Sequence, residues 1–188
     1  MEQQSREEVA QVNRLMTLFD RLFAERYQTR LVRGDDEPLY QPASKTCAYH
    51  RIIFAHGYFA SALHEVSHWC IAGAKRRQLE DYGYWCMPDG RDDSAQEAFE
   101  RAEIAPQAIE KQLTLSCNRR FNVSVDNLDG SAEVDRDAFA ARVEAKRQAW
   151  LSEGFPLRAR AFNDALSAFF GEGESLDDAC RRGGRHLD

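Results

Sequence analysis

Apolar side chains recur at helical spacing between residues 6 and 26 (Val9, Val12, Met16, Phe19, Phe23), which predicts an amphipathic helix with one face on a core. Thr29 to Val32 reads as a short strand ending at Gly34. The next stretch, Gly34-Asp35-Asp36-Glu37-Pro38, reads as an acidic loop, because Gly and Pro punctuate it and three adjacent carboxylates repel one another when packed. Arg51 to Ala55 is a second strand. From about Tyr58 to Arg77, Ala, Leu, Glu, Trp and Lys without proline predict a helix buried along much of its length. Tyr82-Gly83-Tyr84-Trp85 is a third strand, closed by the turn Pro88-Asp89-Gly90. A helix from about Ser94 is expected to break or restart at Pro106, since proline suits a first turn and not an interior. Phe121 to Val125 alternates as a half-buried strand does, and Asn127-Leu128-Asp129-Gly130 turns the chain. Helices are predicted from Asp135 to Leu151 and from Arg158 to Phe170. The segment beyond Gly171, rich in Gly, Asp, Glu and Arg, is expected to be a mobile tail. The pattern predicts an α+β fold, helices packed around a small sheet, in a single domain over residues 1–170 with a tail over 171–188.

Composition narrows the class without choosing a function. The 188 residues are enough for one hydrophobic core, and apolar runs such as Ile52 to Ala55 fall far short of the ~20 residues that span a bilayer. No basic region followed by an apolar one opens the chain, so a cytoplasmic protein without membrane contact is expected. With 25 Lys and Arg against 31 Asp and Glu, the net charge of −6 argues against direct nucleic-acid binding. The cysteines (47, 70, 86, 117, 180) contain no C-x-x-C pair, which fits reduced thiols rather than a disulfide framework or zinc knuckle. Four of the five histidines (His50, His56, His64, His68) crowd into a 19-residue window.

Within that window His64-Glu65-Val66-Ser67-His68 is an H-E-x-x-H sequence inside the predicted helix. Residues four apart on a helix differ by about 40° in azimuth and ~6 Å in rise, so both imidazoles leave one face and can grip one metal ion. With 5 His and 16 Glu in the chain, roughly 0.01 such matches are expected by chance. A metzincin would continue with Gly at 71 and His at 74, where this chain has Ile71 and Ala74, so a carboxylate from farther along is expected as third ligand. The candidates are Glu80, Asp81, Asp89, Asp92, Asp93, Glu97, Glu100 and Glu103. Glu100 and Glu103 share a helix face just before Pro106; Glu103 is favoured, with Glu100 its rival. Two imidazoles and a carboxylate leave coordination positions open. With zinc the set activates water, with Glu65 as general base of a hydrolase or peptidase. With ferrous iron it leaves room for dioxygen and a second molecule.

The chain also resembles the bacterial elongation factor P hydroxylases. The resemblance is carried by Thr29-Arg30-Leu31, Gly34-Asp35-Asp36-Glu37-Pro38, Phe54-Ala55-His56-Gly57, the long block Ala60-Ser61-Ala62-Leu63-His64-Glu65-Val66-Ser67-His68-Trp69-Cys70-Ile71-Ala72-Gly73, Gly83-Tyr84-Trp85, Pro88-Asp89-Gly90-Arg91-Asp92 and Pro106-Gln107-Ala108. These blocks run in order from about residue 15 to about 170. Two positions depart from the pattern, Cys86 where an aromatic residue is expected and Ala105 where a lysine is expected.

The resemblance implies a non-haem iron monooxygenase that hydroxylates the β-lysylated lysine of elongation factor P, the last step of that modification. It implies a site similar to a metallopeptidase core, with His64 and His68 as metal ligands and a glutamate of Phe99-Glu100-Arg101-Ala102-Glu103, taken as Glu103, completing them. Ferrous iron is the expected cofactor and dioxygen the cosubstrate, with zinc a substitute in vitro; side chains alone cannot activate dioxygen for an unactivated C–H bond. Elongation factor P carrying β-lysyl-lysine is the expected partner. An acidic rim drawn from Asp35, Asp36, Glu37, Asp89 and Asp92 is expected to receive its ammonium groups, with His56 contacting substrate or supporting a ligand.

Overall fold

The structure, a computed structural model, describes residues 2–83, 91–125 and 135–188. Six α-helices and a three-stranded sheet make up the described residues, in the order α1 (Glu2–Tyr27), β1 (Thr29–Arg33), β2 (Leu39–Gln41), β3 (His50–Phe54), α2 (Phe59–Ile71), α3 (Asp93–Ser116), α4 (Arg136–Glu153), α5 (Leu157–Leu166) and α6 (Leu176–Gly184). The α+β expectation holds at this level.

Strand β3 lies at the centre of the sheet, parallel to β1 and antiparallel to β2. Its alternate residues His50, Ile52 and Phe54 are buried, as the period of a strand with one covered face requires. Strand β2 is too short to show that period and was not anticipated. Helix α1 packs a stripe of Val12, Leu15, Phe19, Leu22 and Phe23 into the core, while Val9, expected on that stripe, is 43% exposed. The centre of the core is aromatic: the rings of Phe19, Phe23 and Tyr27 pack on Trp69 of α2, with Phe23 and Trp69 centroids 5.0 Å apart, and Phe162 packs on Phe19 and Phe23.

Helix α2 is entered through a tight turn in which His56 (φ 55°) and Gly57 (φ 67°) are both left-handed. Glycine is required there, since a Cβ on Gly57 would press on the Arg33 side chain at 3.2 Å. The apolar stripe of α2, Phe59, Ala62, Leu63, Val66, Trp69 and Cys70, is buried. At about 100° per residue, His64 and His68 project from the opposite side of the helix, and α3 packs on α2.

Several sequence expectations are corrected. Helix α2 ends at Ile71 rather than near Arg77, where a separate 3₁₀ turn, Arg76–Gln78, follows. Its last carbonyls are taken instead by Arg158, whose Nη2 donates to Trp69 O (2.8 Å), Cys70 O (3.1 Å) and Ala72 O (2.6 Å). Tyr82 and Gly83 form part of a 3₁₀ turn rather than a strand; Tyr84, Trp85, Cys86 and the Pro88-Asp89-Gly90 turn lie outside the described residues, as does Asn127-Leu128-Asp129-Gly130. Helix α3 runs through Pro106 without a break. Ala102, whose carbonyl loses its partner to the missing N–H, is exposed, so the lost bond leaves no buried carbonyl unpaired.

The Phe121–Val125 segment alternates in burial as expected but pairs with no strand among the described residues. Its backbone is satisfied by side chains: Ser124 N donates to Gln107 Oε1 (3.0 Å), Gln107 Nε2 donates to Ser124 O (2.6 Å), and Gln96 Nε2 donates to Val125 O (3.2 Å). The glycine-rich tail is partly helical. Helix α6 packs on α5 and α1, with Ala179 fully buried. The described cysteines are free thiols, and burial pushes those of Cys70 and Cys117 up to about 12. No helix among the described residues is long and apolar enough to cross a membrane.

Candidate metal centre

The polar face of α2 meets an unusual partner. Along α3, Gln96, Glu100, Glu103, Gln107, Glu110 and Thr114 are all buried, and their spacing of four and three residues puts them on one stripe. A helix normally buries an apolar stripe; here the side chains of Gln96, Glu100, Glu103, Gln107 and Glu110 each have a defined partner, as burial demands.

Glu103 and the two histidines converge. Glu103 Oε1 lies 3.2 Å from His68 Nε2, Glu103 Oε2 lies 3.7 Å from His64 Nε2, and the two Nε2 atoms are 3.2 Å apart. One donor atom from each of the three residues falls within 4.8 Å of the others. Gln107 Nε2 also donates to Glu103 Oε2 (3.2 Å), tying that carboxylate to the Ser124 backbone. The other nitrogen of His64, Nδ1, lies 2.8 Å from Glu110 Oε2.

Electrostatics make this a place for positive charge. Burial works against charging His64, but the hydrogen bond its ring donates to Glu110 and the charges of Glu110, Glu103 and Glu65 outweigh it and lift its imidazole to about 10. Burial likewise opposes ionisation of Glu103, and the hydrogen bond and charge of His68, with His64 and Gln107, overcome it and hold the carboxyl at about 2. Three carboxylates around two imidazoles attract a proton in the absence of anything better, and a divalent cation satisfies the same field. Glu65 differs: burial pushes its carboxyl up against the opposing pull of His64 and His68. A cleft of about 440 Å³ opens beside His68, lined by Ile71, Ala72, Ala74, Tyr82 and the chains of Lys75 and Arg76. Tyr82 stacks on Tyr40 at 4.2 Å, and its buried hydroxyl makes no hydrogen bond among the described residues.

The remaining anticipated residues are elsewhere. Glu100, the rival of Glu103, is ion-paired with Arg142 and accepts from Gln96 Nε2 (3.2 Å). Asp92 caps α3, accepting from Ala95 N at 2.8 Å. Asp35, Asp36 and Glu37 are exposed, and Asp35 O accepts from His56 N at 2.6 Å, which joins the acidic loop to the turn before α2. The His56 ring is exposed, 5.7 Å from that of Tyr58. Asp89 lies outside the described residues. His50 is buried and accepts from Ala43 N at Nδ1 (3.0 Å), a structural bond within the sheet region. Glu110 and Gln107 did not figure among the anticipated site residues; the available signal was their spacing from Glu103, seven and four residues, on a helix expected to stop between them.

Comparison with known proteins identifies the family. A family model described as elongation factor P hydroxylase matches residues 18–179. The chain is also similar to the elongation factor P lysine hydroxylase of Haemophilus influenzae, 41% identical over 163 residues that cover 87% of this chain and 91% of that protein.

Proposed function

Because the chain belongs to the elongation factor P hydroxylase family, we propose that it hydroxylates a lysine of elongation factor P, at a metal centre held by His64, His68 and Glu103, and that its substrate is the β-lysylated form. The observation that carries the proposal is the convergence of those three donors on one side of α2. Two neutral imidazoles and a carboxylate on one face suit ferrous iron and leave positions for other molecules. Bound iron would supply the activation of dioxygen that insertion into a C–H bond needs.

The chain's own residues do the rest. Gln107 and Glu110 fix Glu103 and His64 from α3. The cleft beside His68 offers apolar surface from Ile71, Ala72, Ala74 and Tyr82, which suits the methylenes of a long lysyl chain and keeps water from them. Glu65, its carboxyl pushed toward the neutral form by burial, can hold or release a proton next to the histidines. The exposed acids Asp35, Asp36 and Glu37 receive ammonium groups of the substrate. Replacing Asp35 and Asp36 by lysine is expected to weaken substrate affinity; unchanged affinity removes the rim from the proposal.

The deciding experiment is an aerobic assay with ferrous iron and β-lysylated elongation factor P, read by mass spectrometry for a gain of one oxygen. The zinc hydrolase reading has one observation in its favour, the closeness of Glu65 to both histidines. Absence of added oxygen together with zinc-dependent peptide cleavage would select it.

A further inference from the structure

The inference below rests on the metal-centre reading and concerns a residue outside the three ligands. We infer that Glu110 is the positioning residue of the centre: its carboxylate accepts the Nδ1–H of His64 and thereby holds that ring in the tautomer and orientation that present Nε2 to the metal.

The two nitrogens of His64 are engaged in different directions by two carboxylates of the same helix. Nδ1 meets Glu110 Oε2 at 2.8 Å, while Nε2 faces His68 Nε2 at 3.2 Å and Glu103 Oε2 at 3.7 Å. A neutral imidazole carries one proton. With that proton donated from Nδ1 to Glu110, the lone pair is left on Nε2, the atom that lies among the other donors. Glu103 and Glu110 are seven residues apart, close to two turns, so an unbroken α3 sets both distances at once. Glu110 is only 7% exposed, and a buried polar side chain needs a hydrogen-bond partner, which the His64 ring supplies. Its contact is with the ring nitrogen remote from the convergence point, which separates it from the ligand role of Glu103. Outer partners of this kind are worth about 10–100-fold in metal affinity.

The test uses the full-length protein, stripped of metal by chelation and titrated with Co(II), with the dissociation constant and band positions read from its d–d absorption. Wild type and the variants Glu110→Gln, Glu110→Ala and Glu103→Ala are compared. Glu110→Ala is expected to take up one Co(II) with the wild-type band positions and an affinity about 10–100-fold lower. Glu110→Gln, near-isosteric and still able to accept from Nδ1–H, should lie at the low end of that loss, and it carries the test if Glu110→Ala does not fold. Glu103→Ala should shift the bands, because a ligand is gone. Nitrogen-15 spectra of the Zn(II)-loaded proteins should show His64 protonated at Nδ1 in wild type and Glu110→Gln. Wild-type affinity in both Glu110 variants would overturn the inference while leaving the metal centre standing. Bands shifted in Glu110→Ala as in Glu103→Ala would overturn it by making Glu110 a ligand. No Co(II) uptake by wild type would overturn the metal centre itself, and this inference with it.

Discussion

Glu100 and Glu103 stand three residues apart on α3 and carry the same charge, yet their surroundings give them separate work. Glu100 neutralises Arg142 and accepts from Gln96; Glu103 faces two imidazoles and is steadied by Gln107. Glu103→Ala is therefore expected to weaken metal uptake in equilibrium dialysis by more than the roughly 100-fold limit for groups that only support a ligand. Glu100→Ala should bind metal as wild type does and lose about 1–2 kcal/mol of stability in urea unfolding, since Arg142, with its side chain 45% exposed, recovers water when its partner goes. The two histidines were legible because the whole signal fits inside one short helix, where spacing fixes geometry. The choice between Glu100 and Glu103 turned on what each side chain meets across the interface, and no spacing rule encodes that. Glu110 was hidden by a specific error: a helix broken at Pro106 would destroy the phase relation between residues 103 and 110, whereas the continuous α3 preserves it.

At the scale of elements, the helix that bears the histidines has no capping side chain of its own at the N-terminus. Remote charges of the sign its dipole favours hold both ends. Glu8 of α1 accepts from Phe59 N (3.3 Å) and is paired with Arg119, whose guanidinium stacks over Phe59 at 3.8 Å. At the other end Arg158 of α5 binds the carbonyls of Trp69, Cys70 and the following Ala72 and lies 4.6 Å from the Trp69 ring centroid. Arg158→Ala would strip those carbonyls of their partner inside the core and is expected to cost about 2–4 kcal/mol in denaturant unfolding. Arg158→Lys should recover only part of that, since a compact ammonium loses the contact of the planar guanidinium with the Trp69 ring. These ties join residues 51 to 111 positions apart, so a reading of local periodicity stopped α2 too late. The Phe121–Val125 segment shows the same limit from another side. Its alternating burial was legible, but the partner for its backbone is the Gln107 amide rather than a strand. Gln107→Leu keeps the volume and removes the pairing. Faster amide hydrogen exchange at Ser124 and a drop in stability of about 2–3 kcal/mol are expected.

For the whole molecule, the net charge of −6 and the buried acids of α3 describe one tendency, a field that draws cations inward. Closure of the fold around that field depends on the C-terminal segment. Helix α6 is capped by Ser175, which accepts from Asp178 N, and Gly183 lets it approach Ala161 of α5 so closely that a Cβ would strike the Ala161 carbonyl. Glycine and charge suggested a mobile tail by composition, whereas the glycine serves as a packing surface. The pH response of the metal-free protein follows from the field. His64, raised to about 10 from an ordinary value near ~6.5, stabilises the native state fully below that ordinary value, and the contribution is lost as pH rises toward 10. Glu103, held at about 2, contributes fully above its ordinary ~4.3, and its part is lost as pH falls toward 2. With respect to these two groups, metal-free stability is greatest between about pH 4.5 and 6.5. A metal must displace the His64 proton, so its apparent affinity should climb about tenfold per pH unit well beyond pH 6.5, where an ordinary imidazole would already have levelled off. Calorimetric titration with Zn(II) at pH 8 in buffers of different ionisation enthalpy counts that proton directly. Release of about one proton per metal is expected, and release near zero would mean that the carboxylates of α3 do not hold His64 charged.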